Sequence, residues 1–322
     1  MTYVFPQRTR DYRNYGFDSR NWDLVVPRDG DIVITTSYKS GTTWMQNIVM
    51  QMLFRGQEVP AVADVSPWVD RRRENPAEVA AQLAAQTHRR VMKSHLSLEA
   101  TRFHAGTRYI VVVRDARDVF MSLWNHLSKM TPEVVAMINA MPGRVGDPMP
   151  SVGTDIHAFW DGWINRGWFP WETEGYPHSG NMSHTQSWWN FRHLPNVLFV
   201  HYADMLRDPG AEIGEVARFL GIGLREDDIA EIRAATTFEA LRGNPAKSGP
   251  MPVEGANQVW PEGLLTFFHK GTNGRWRDVL TEGELAMYAA AKARVLTPDC
   301  AEYCEKGRLA VAAVPVAYPT SG

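Results

Sequence analysis

Four short segments rich in apolar, often β-branched residues lead into polar side chains. They cover residues 32–36, 91–95, 108–113 and 197–202. The clearest of them, residues 108–113, is continuously apolar after its first position, as is typical of a strand covered on both faces. The four segments therefore predict the strands of a central, mostly parallel sheet.

Between these segments, apolar residues recur every three or four positions, which is the spacing of one helix face. Helices are predicted over residues 45–53, 77–86, 119–127, 211–220, 226–235 and 282–294. Stretches rich in Gly, Pro and Ser predict loops at residues 141–154, 172–184 and 242–263. Strands that alternate with helices predict an α/β fold in which helices flank a parallel sheet.

Composition indicates a globular chain with ample core. The chain has 322 residues, of which 44% are hydrophobic and 22% charged. No internal repeat or composition break marks a second unit. We therefore predict a single domain over residues 1–322, with an N-terminal extension at 1–30 and a C-terminal tail at 305–322. The net charge of −2 gives no nucleic-acid footprint.

Targeting signals and cysteine usage narrow the expected location. The N-terminal residues show no apolar core of a secretory signal, and no run approaches the ~18 apolar residues of a membrane span. Cys300 and Cys304 are too few for a structural zinc site and are poorly spaced for a disulfide. We expect a cytoplasmic protein with reduced thiols, no membrane span and no metal.

The stretch from Ile32 to Trp44 joins an apolar strand, a small hydroxyl-rich turn and the start of a helix. The first amides of a helix are unpaired and its dipole favours anions, while Gly41 allows close backbone approach. Lys39 adds a positive charge, so the stretch predicts an anion cradle. The nearest generic motif is the P-loop G-x-x-x-x-G-K-[ST], but here the lysine precedes the glycine.

Residues Lys39 to Trp44 read Lys-Ser-Gly-Thr-Thr-Trp and resemble the 5′-phosphosulfate loop of the soluble sulfotransferases that use 3′-phosphoadenosine-5′-phosphosulfate (PAPS). The family usually has a proline where this chain has Tyr38. The resemblance, which extends to bacterial members of the family, implies that Lys39 neutralises charge on the leaving phosphate. It also implies that amides from Ser40 to Thr43 cradle the 5′-phosphate, with Trp44 against the adenine.

Two more segments resemble motifs of the same family. Residues Arg114 to Ser122 match Arg-Asn-Pro-Lys-Asp-Val-x-x-Ser, in which the first arginine and the last serine hold the 3′-phosphate. Arginine suits this role because its planar fork fits phosphate oxygens. The segment that starts with Lys93 and His95 resembles Lys-Thr-His-Leu, which implies that Lys93 contacts the sulfate and His95 is the general base. A base is needed because the acceptor hydroxyl loses its proton as it attacks sulfur.

The C-terminal half carries the remaining matches. Tyr202 lies in a segment that resembles Tyr-Glu-Asp-Met, and residues 236–238 resemble the adenine-contacting Thr-Ser-Phe. Residues 269–276 resemble Arg-Lys-Gly-x-x-Gly-Asp-Trp, which closes over the 3′-phosphate. His269 stands here for the arginine and Arg275 for the aspartate. Loss of a permanent charge at His269 predicts weaker, more pH-sensitive cosubstrate binding.

The matches follow the family's order from Thr36 to Trp276. They imply metal-independent, in-line transfer of the sulfuryl group from PAPS to a hydroxyl, leaving adenosine 3′,5′-bisphosphate (PAP). The candidate catalytic residues are His95, Lys39 and Lys93. The candidate cosubstrate-binding residues are Lys39, Ser40, Gly41, Thr42, Thr43, Trp44, Arg114, Ser122, Tyr202, Thr236, Phe238, His269, Lys270 and Gly271.

Two alternatives stay open at this point. A P-loop-type nucleotide kinase or NTPase would need the Gly-Lys order and a Mg²⁺-holding acid, for which Asp115 is the candidate. A non-catalytic module that binds PAP would keep the cradle and lack the chemistry, yet Lys39, Lys93 and His95 are all present.

The acceptor is less closely defined. In the family, the acceptor hydroxyl occupies an apolar pocket beside the histidine. A small-molecule or lipid acceptor is expected here: a phenol, a steroid-like alcohol or a glycolipid. Its pocket is expected from the aromatic segment 159–171 and the loops 141–154 and 242–263, whereas Trp188 and Trp189 are expected to be core residues. A homodimer stays open as well, because the dimer motif of some relatives has no clean counterpart around residues 277–284.

Overall fold

The computed structural model describes residues 3–72, 75–143 and 145–310. The β-strands are Ile32–Thr36 (β1), Val91–Ser94 (β2), Arg108–Val113 (β3) and Val197–His201 (β4). The α-helices are Thr42–Leu53 (α1), Val62–Val65 (α2), Pro76–Ala85 (α3), Ala116–Leu127 (α4), Pro132–Asn139 (α5), Ile156–Asn165 (α6), Asn181–Trp189 (α7), Tyr202–Arg207 (α8), Pro209–Leu220 (α9), Glu226–Ala235 (α10), Phe238–Gly243 (α11), Pro245–Ser248 (α12), Val253–Val259 (α13), Leu264–Phe267 (α14), Glu282–Val295 (α15) and Pro298–Lys306 (α16). Short 3₁₀ helices are Ser19–Leu24, Leu98–Ala100, Arg275–Asp278 and Gly307–Ala310.

The four described strands form one parallel sheet in the order β2-β1-β3-β4. Because all strands run the same way, their carboxyl ends meet at one edge. The segments that follow them carry the cradle after β1, His95 after β2, Arg114 after β3 and Tyr202 after β4. Ligands of open α/β sheets bind at this edge, so the topology brings distant motifs together.

Side chains alternate between two separate cores, one on each face of the sheet. Ile34 and Ile110 pack with residues of α1, α9 and α10. Val33 and Val111 lie in the other core, with residues of α4, α6 and α7. Helices thus cover both faces of the sheet, which confirms the predicted α/β architecture.

Local capping explains where the helices beside the site begin. The carboxylate of Asp115 accepts a hydrogen bond from the amide of Arg117 and starts α4 directly after β3. Thr281 and Glu284 form a capping box at the start of α15. The helix that follows β1 has no side-chain cap, because Gly41 precedes it in a left-handed conformation. Its amino end is therefore left open to a ligand.

The loop predicted over residues 242–263 is wrong in part, because α12 and α13 lie within it. Pro245 is the first residue of α12, and Pro252 directly precedes α13. Proline is well tolerated at a helix start, where its missing N–H would be unpaired anyway. The predicted loop 172–184 likewise ends early, since α7 begins at Asn181. No helix or strand occurs in the described part of residues 141–154.

Aromatic residues supply much of the interior. Trp188 and Trp189 are buried, as expected, and Tyr12 and Phe17 bring the N-terminal segment into the core. Both cysteines are free and buried on α16. No helix among the described residues is long and apolar enough to cross a bilayer. The predicted C-terminal tail beyond residue 310 lies outside the described residues.

Candidate active site

A cavity of about 1190 Å³ lies at the carboxyl edge of the sheet. Every residue that the sequence predicts to be catalytic or to bind the cosubstrate lines this cavity, except Ser40. Ser40 is fully buried, and its Oγ lies 2.7 Å from Ser37 Oγ. Its hydroxyl therefore supports the turn, while its neighbours face the open space.

The cradle after β1 rests on two residues with positive φ, Lys39 at 63° and Gly41 at 111°. A Cβ at Gly41 would lie 2.8 Å from Tyr202 Cδ2, which is closer than real Cβ contacts allow. Met45 is the first residue of α1 whose amide donates a hydrogen bond to a carbonyl, that of Gly41, at 3.1 Å. Thr42 and Thr43 precede it and line the cavity, and their amides, which bond to no other described residue, can bind an anion.

The Lys39 side chain enters the cavity between two aromatic rings. Its Nζ lies 3.4 Å from His126 Nδ1 and 4.2 Å from the centroid of the Phe267 ring. Burial lowers the pKa of Lys39 to about 7, and the charges of Lys93 and Arg114 add to this effect. Without an anion, this amine is therefore about half protonated at neutral pH.

His95 is held as a neutral imidazole with one free nitrogen. Its Nδ1 lies 2.8 Å from the carbonyl of Thr36 and donates to it, which places the lone pair on Nε2. Its backbone amide donates to Asp70 Oδ2 at 3.1 Å. Burial lowers the pKa of His95 well below its usual value, and the charge of Lys93 contributes. An imidazole in this state can accept a proton at neutral pH.

Aromatic rings fix the surroundings of His95. Tyr38, which replaces the family's proline, stacks on the His95 imidazole with centroids 4.5 Å apart. Trp68 contacts the same imidazole edge-on at 4.8 Å, and the Lys93 Nζ lies 4.8 Å above the Trp68 ring. The general base and the sulfate-contacting lysine proposed from the sequence therefore meet on one aromatic wall.

Arg114 ties the cradle to the segment after α14. Its guanidinium donates to Lys39 O at 3.1 Å, to Thr272 O at 3.0 Å and to Asn273 Oδ1 at 2.9 Å. It also lies 4.2 Å above the Tyr202 ring. Trp44 meets Tyr202 edge-on at 5.4 Å. These contacts bring the two expected phosphate cradles and the expected adenine residues into one wall of the cavity.

The second cradle carries an excess of positive charge. Burial and nearby Arg275 lower the pKa of His269 to about 4, so this imidazole is neutral at pH 7. Nε of Arg275 is buried and has no hydrogen-bond partner among the described residues. Lys270 and Ser122 line the same region. The carboxylate of Asp118 is close enough to interact with Arg114 and Arg275, but the cationic side chains outnumber it. A cluster with this excess of positive charge fits a phosphate group.

The expected adenine end is closely packed. Thr236 is buried, and its hydroxyl donates to Ile232 O at 2.7 Å. Gly271 has a φ of 66°, and a Cβ there would lie 2.7 Å from Phe238 Cδ2. Glycine is therefore required where the chain after α14 crosses the Phe238 ring.

Two further sets of side chains line the cavity, and we call them the apolar wing and the polar rim. The apolar wing is lined by Leu127, Met130, Ile138, Met149, Met251, Val259, Trp260 and Phe267. The polar rim is lined by Arg71, Asn75, Glu78 and Gln82. The loops 141–154 and 242–263 contribute to the wing as expected. The expectation for residues 159–171 is wrong: none of them lines the cavity, and Trp160 and Trp163 are core residues.

Two histidines of the cavity were not identified from the sequence. His126 lies one helical turn after Ser122 on α4, which is a spacing that places both on one helix face. His178 comes from the irregular chain before α7 and is brought in only by tertiary contacts. Trp68 was missed for the same reason.

Asp115, the acid that the NTPase alternative would need for Mg²⁺, is committed to other contacts. Asp115 caps α4 and pairs with Arg117 at 2.6 Å. Across the described residues, no group of three or more His, Cys, Asp and Glu side chains is arranged to hold a metal ion.

A family model for the sulfotransferase domain matches residues 29–292 of this chain. The glycolipid sulfotransferase of Mycobacterium tuberculosis (strain ATCC 25177 / H37Ra) is 31% identical over 92% of this chain and 94% of its own length. Human sulfotransferase 1E1 is 28% identical over 81% of this chain and 82% of its own.

Solved structures share the fold. A mouse sulfotransferase, SULT7A1, complexed with PAP superposes with a TM-score of 0.67 at 19% identity, covering 90% of this chain and 96% of that one. The chain therefore belongs to the sulfotransferase family and is an enzyme that transfers the sulfuryl group of PAPS to an acceptor hydroxyl.

Proposed function

We propose that the acceptor is an amphiphile, a glycolipid or a similar long-chain glycoside, with one sugar hydroxyl presented to His95. The observation that carries this proposal is that one cavity holds the reacting groups together with the apolar wing and the polar rim. An alkyl chain fits the wing, where burial of each CH₂ contributes about 0.8 kcal/mol. The glycolipid sulfotransferase among the relatives supports the same class of acceptor.

The residue roles follow from the geometry of the site. When bound, PAPS supplies an electrophilic sulfur and a phosphate leaving group. His95 Nε2 accepts the proton of the attacking hydroxyl, because Nδ1 is committed to Thr36 O. Lys93, beside it on the Trp68 ring, offers positive charge to the sulfuryl oxygens. Lys39 and the open amides of α1 neutralise charge on the leaving phosphate.

Cosubstrate selection is assigned to the opposite end of the site. Arg114, Ser122 and Lys270 bind the 3′-phosphate, with Arg275 supplying the charge that His269 lacks at neutral pH. The rings of Trp44 and Tyr202 and the segment from Thr236 to Phe238 enclose the adenine. Close packing of Gly271 against Phe238 supports a role for the segment after α14 in covering the nucleotide.

The acceptor proposal is tested by PAPS-dependent transfer measured by mass spectrometry. The panel is octyl β-D-glucoside, 1-octanol, a simple phenol, a steroid alcohol and free glucose. We expect the highest kcat/KM with the octyl glucoside, because it alone fills the wing and the rim together. Faster turnover of the phenol or the steroid than of the glucoside would contradict the proposal. Equal turnover of glucose and octyl glucoside would show that the apolar wing does not contribute to acceptor binding.

A further inference from the structure

His178 is a second imidazole that faces the cavity near the reacting groups. Its ring stacks on one side of Tyr38, with centroids 4.1 Å apart and planes 23° apart. On its other side Tyr38 stacks on His95 at 4.5 Å and 27°. Two imidazoles therefore lie on either side of one phenol ring, and both line the cavity. The transfer reaction uses only one of them.

The hydrogen bonds of His178 define which nitrogen faces the cavity. Tyr15 Oη donates its single proton to Pro177 O at 2.9 Å and lies 2.6 Å from His178 Nδ1. Because that proton is committed to the carbonyl, Nδ1 carries the hydrogen of the second contact and donates to Tyr15 Oη. The lone pair is then on Nε2, which bonds to no described residue, and the His178 side chain lines the cavity.

The His178 ring is held in place before any ligand binds. Glu172 accepts from the amide of Gly180 at 3.0 Å, and Glu174 accepts from the amide of Asn181 at 2.9 Å. These two buried carboxyl groups anchor the chain on the C-terminal side of the imidazole, where α7 begins. Burial lowers the pKa of His178 to about 3, so the imidazole accepts rather than donates through Nε2 at neutral pH. A fixed acceptor in an aromatic wall suits recognition of a hydroxyl.

We infer that His178 Nε2 accepts a hydrogen bond from a second, non-reacting hydroxyl of a carbohydrate acceptor while His95 binds the hydroxyl that is sulfated. The inference rests on the proposed glycolipid-type acceptor and identifies the residue that recognises its sugar. A simple alcohol has one hydroxyl and uses His95 alone. A sugar carries several hydroxyls around one ring, so one of them can reach His178 while another reaches His95 on the opposite side of Tyr38. His178 is thus a specificity residue for polyhydroxylated acceptors.

The test compares octyl β-D-glucoside with 1-octanol in wild type, His178→Phe and His193→Phe. Phenylalanine keeps the ring stack and removes both nitrogens, and His193 is an exposed histidine that serves as the matched control. We expect His178→Phe to lower the ratio of kcat/KM for the glucoside to that for octanol by about fivefold, mainly through KM. The control should leave this ratio unchanged. Equal losses with both acceptors, or no change in the ratio, would overturn the inference.

Monodeoxy analogues of octyl β-D-glucoside give a second measurement that needs no variant. With the wild-type enzyme, removal of one non-reacting hydroxyl should raise KM by about fivefold, while removal of the others has little effect. If His178→Phe folds, it should be insensitive to that one deletion. Insensitivity of the wild type to every non-reacting hydroxyl would overturn the inference. Wild-type turnover of octanol without turnover of the glucoside would overturn it too, while sulfuryl transfer to apolar alcohols would stand.

Discussion

At the scale of single residues, the site depends on buried groups whose charge state differs from that in water. His95 is neutral and oriented, so it is ready to accept a proton without first losing one. Lys39 is the opposite case, because the cavity makes its charge costly until an anion arrives. The binding of PAPS or PAP and the protonation of Lys39 are therefore linked.

The linkage at Lys39 predicts proton uptake when PAP binds. In the free enzyme the pKa of Lys39 is lowered to about 7, and an adjacent phosphate raises it. The complex then holds more protons than the free enzyme above pH 7, so affinity falls as pH rises. Calorimetry at pH 8 in two buffers of different ionisation enthalpy should give an uptake approaching one proton.

Lys39→Met provides the control for this proton count. The variant should bind PAP more weakly and take up almost no proton at pH 8. His269 does not interfere, because its pKa of about 4 leaves it neutral at that pH. Equal uptake in wild type and Lys39→Met would show that the titrating group lies elsewhere.

A second prediction concerns His269 and Arg275, which replace the family's arginine and aspartate near the expected 3′-phosphate site. Arg275→Ala should weaken PAP binding by about tenfold and leave AMP, which lacks the 3′-phosphate, almost unaffected. His269→Arg should strengthen PAP binding throughout pH 6 to 8, because it adds a permanent charge where the imidazole, with a pKa of about 4, is neutral. Titrations with both nucleotides check this. An unchanged PAP affinity in His269→Arg would refute the charge argument for His269, and equal losses for PAP and AMP in Arg275→Ala would refute that for Arg275.

At the scale of elements, the turn between β1 and α1 has little freedom to change. Gly41→Ala would place a methyl group against the Tyr202 ring, at a φ of 111° that L-residues rarely adopt. We expect the variant to lose at least about tenfold in PAP affinity, because the open amides would shift. Gly56→Ala is the matched control, since Gly56 also has a positive φ but no atom within 4 Å of its Cβ position.

The two variants separate backbone strain from damage to the cradle. Both should lose about 1–2 kcal/mol of folding stability from the left-handed conformation. Only Gly41→Ala should also lose PAP binding, as measured by titration. Similar PAP affinities in the two variants would mean that close packing at Gly41 does not hold the cradle.

The helices and strands show which structures sequence patterns can predict and which they cannot. Residues 32–36 and 108–113 were predicted to the residue, because continuous β-branched runs admit few other structures. The helices in residues 245–259 were missed because prolines there begin helices instead of breaking them. The core position of Trp160 and Trp163 was readable from their helical spacing with Ile164, yet their aromatic character suggested a ligand wall.

In the functional site, local motifs could be predicted from the sequence and long-range contacts could not. Residues in local motifs, from Lys39 to Gly271, were predicted to share one site, and all but Ser40 line the cavity. His178 and Trp68 belong to no local motif. Their positions depend on contacts across the sheet edge between segments far apart in sequence, and single-sequence patterns carry no signal for such contacts. Tyr38 departs from the family motif, which has proline there, but nothing in the sequence predicts that its ring stacks on both imidazoles.

At the scale of the whole molecule, the cavity joins parts of the chain from the N-terminal segment to Arg275. Tyr15 and the helices after β4 line the same space as the cradle. We therefore predict one cooperative unfolding unit, in which PAP at 100 times its Kd adds about 2.7 kcal/mol to the stability of the folded state. Calorimetry should show one transition that PAP shifts upward as a whole. A second transition that ignores PAP would contradict the single-domain prediction.

The most direct test of the account is the turnover number of His95→Ala with PAPS and the acceptor that wild type uses fastest. Loss of the base should lower kcat by at least about 100-fold and change the Kd of PAP much less, since His95 is assigned to the acceptor hydroxyl and not to a phosphate group. His193→Ala, on the surface, should behave as wild type. Wild-type-like turnover in His95→Ala would contradict the assignment of the general base and, with it, the proposed mechanism.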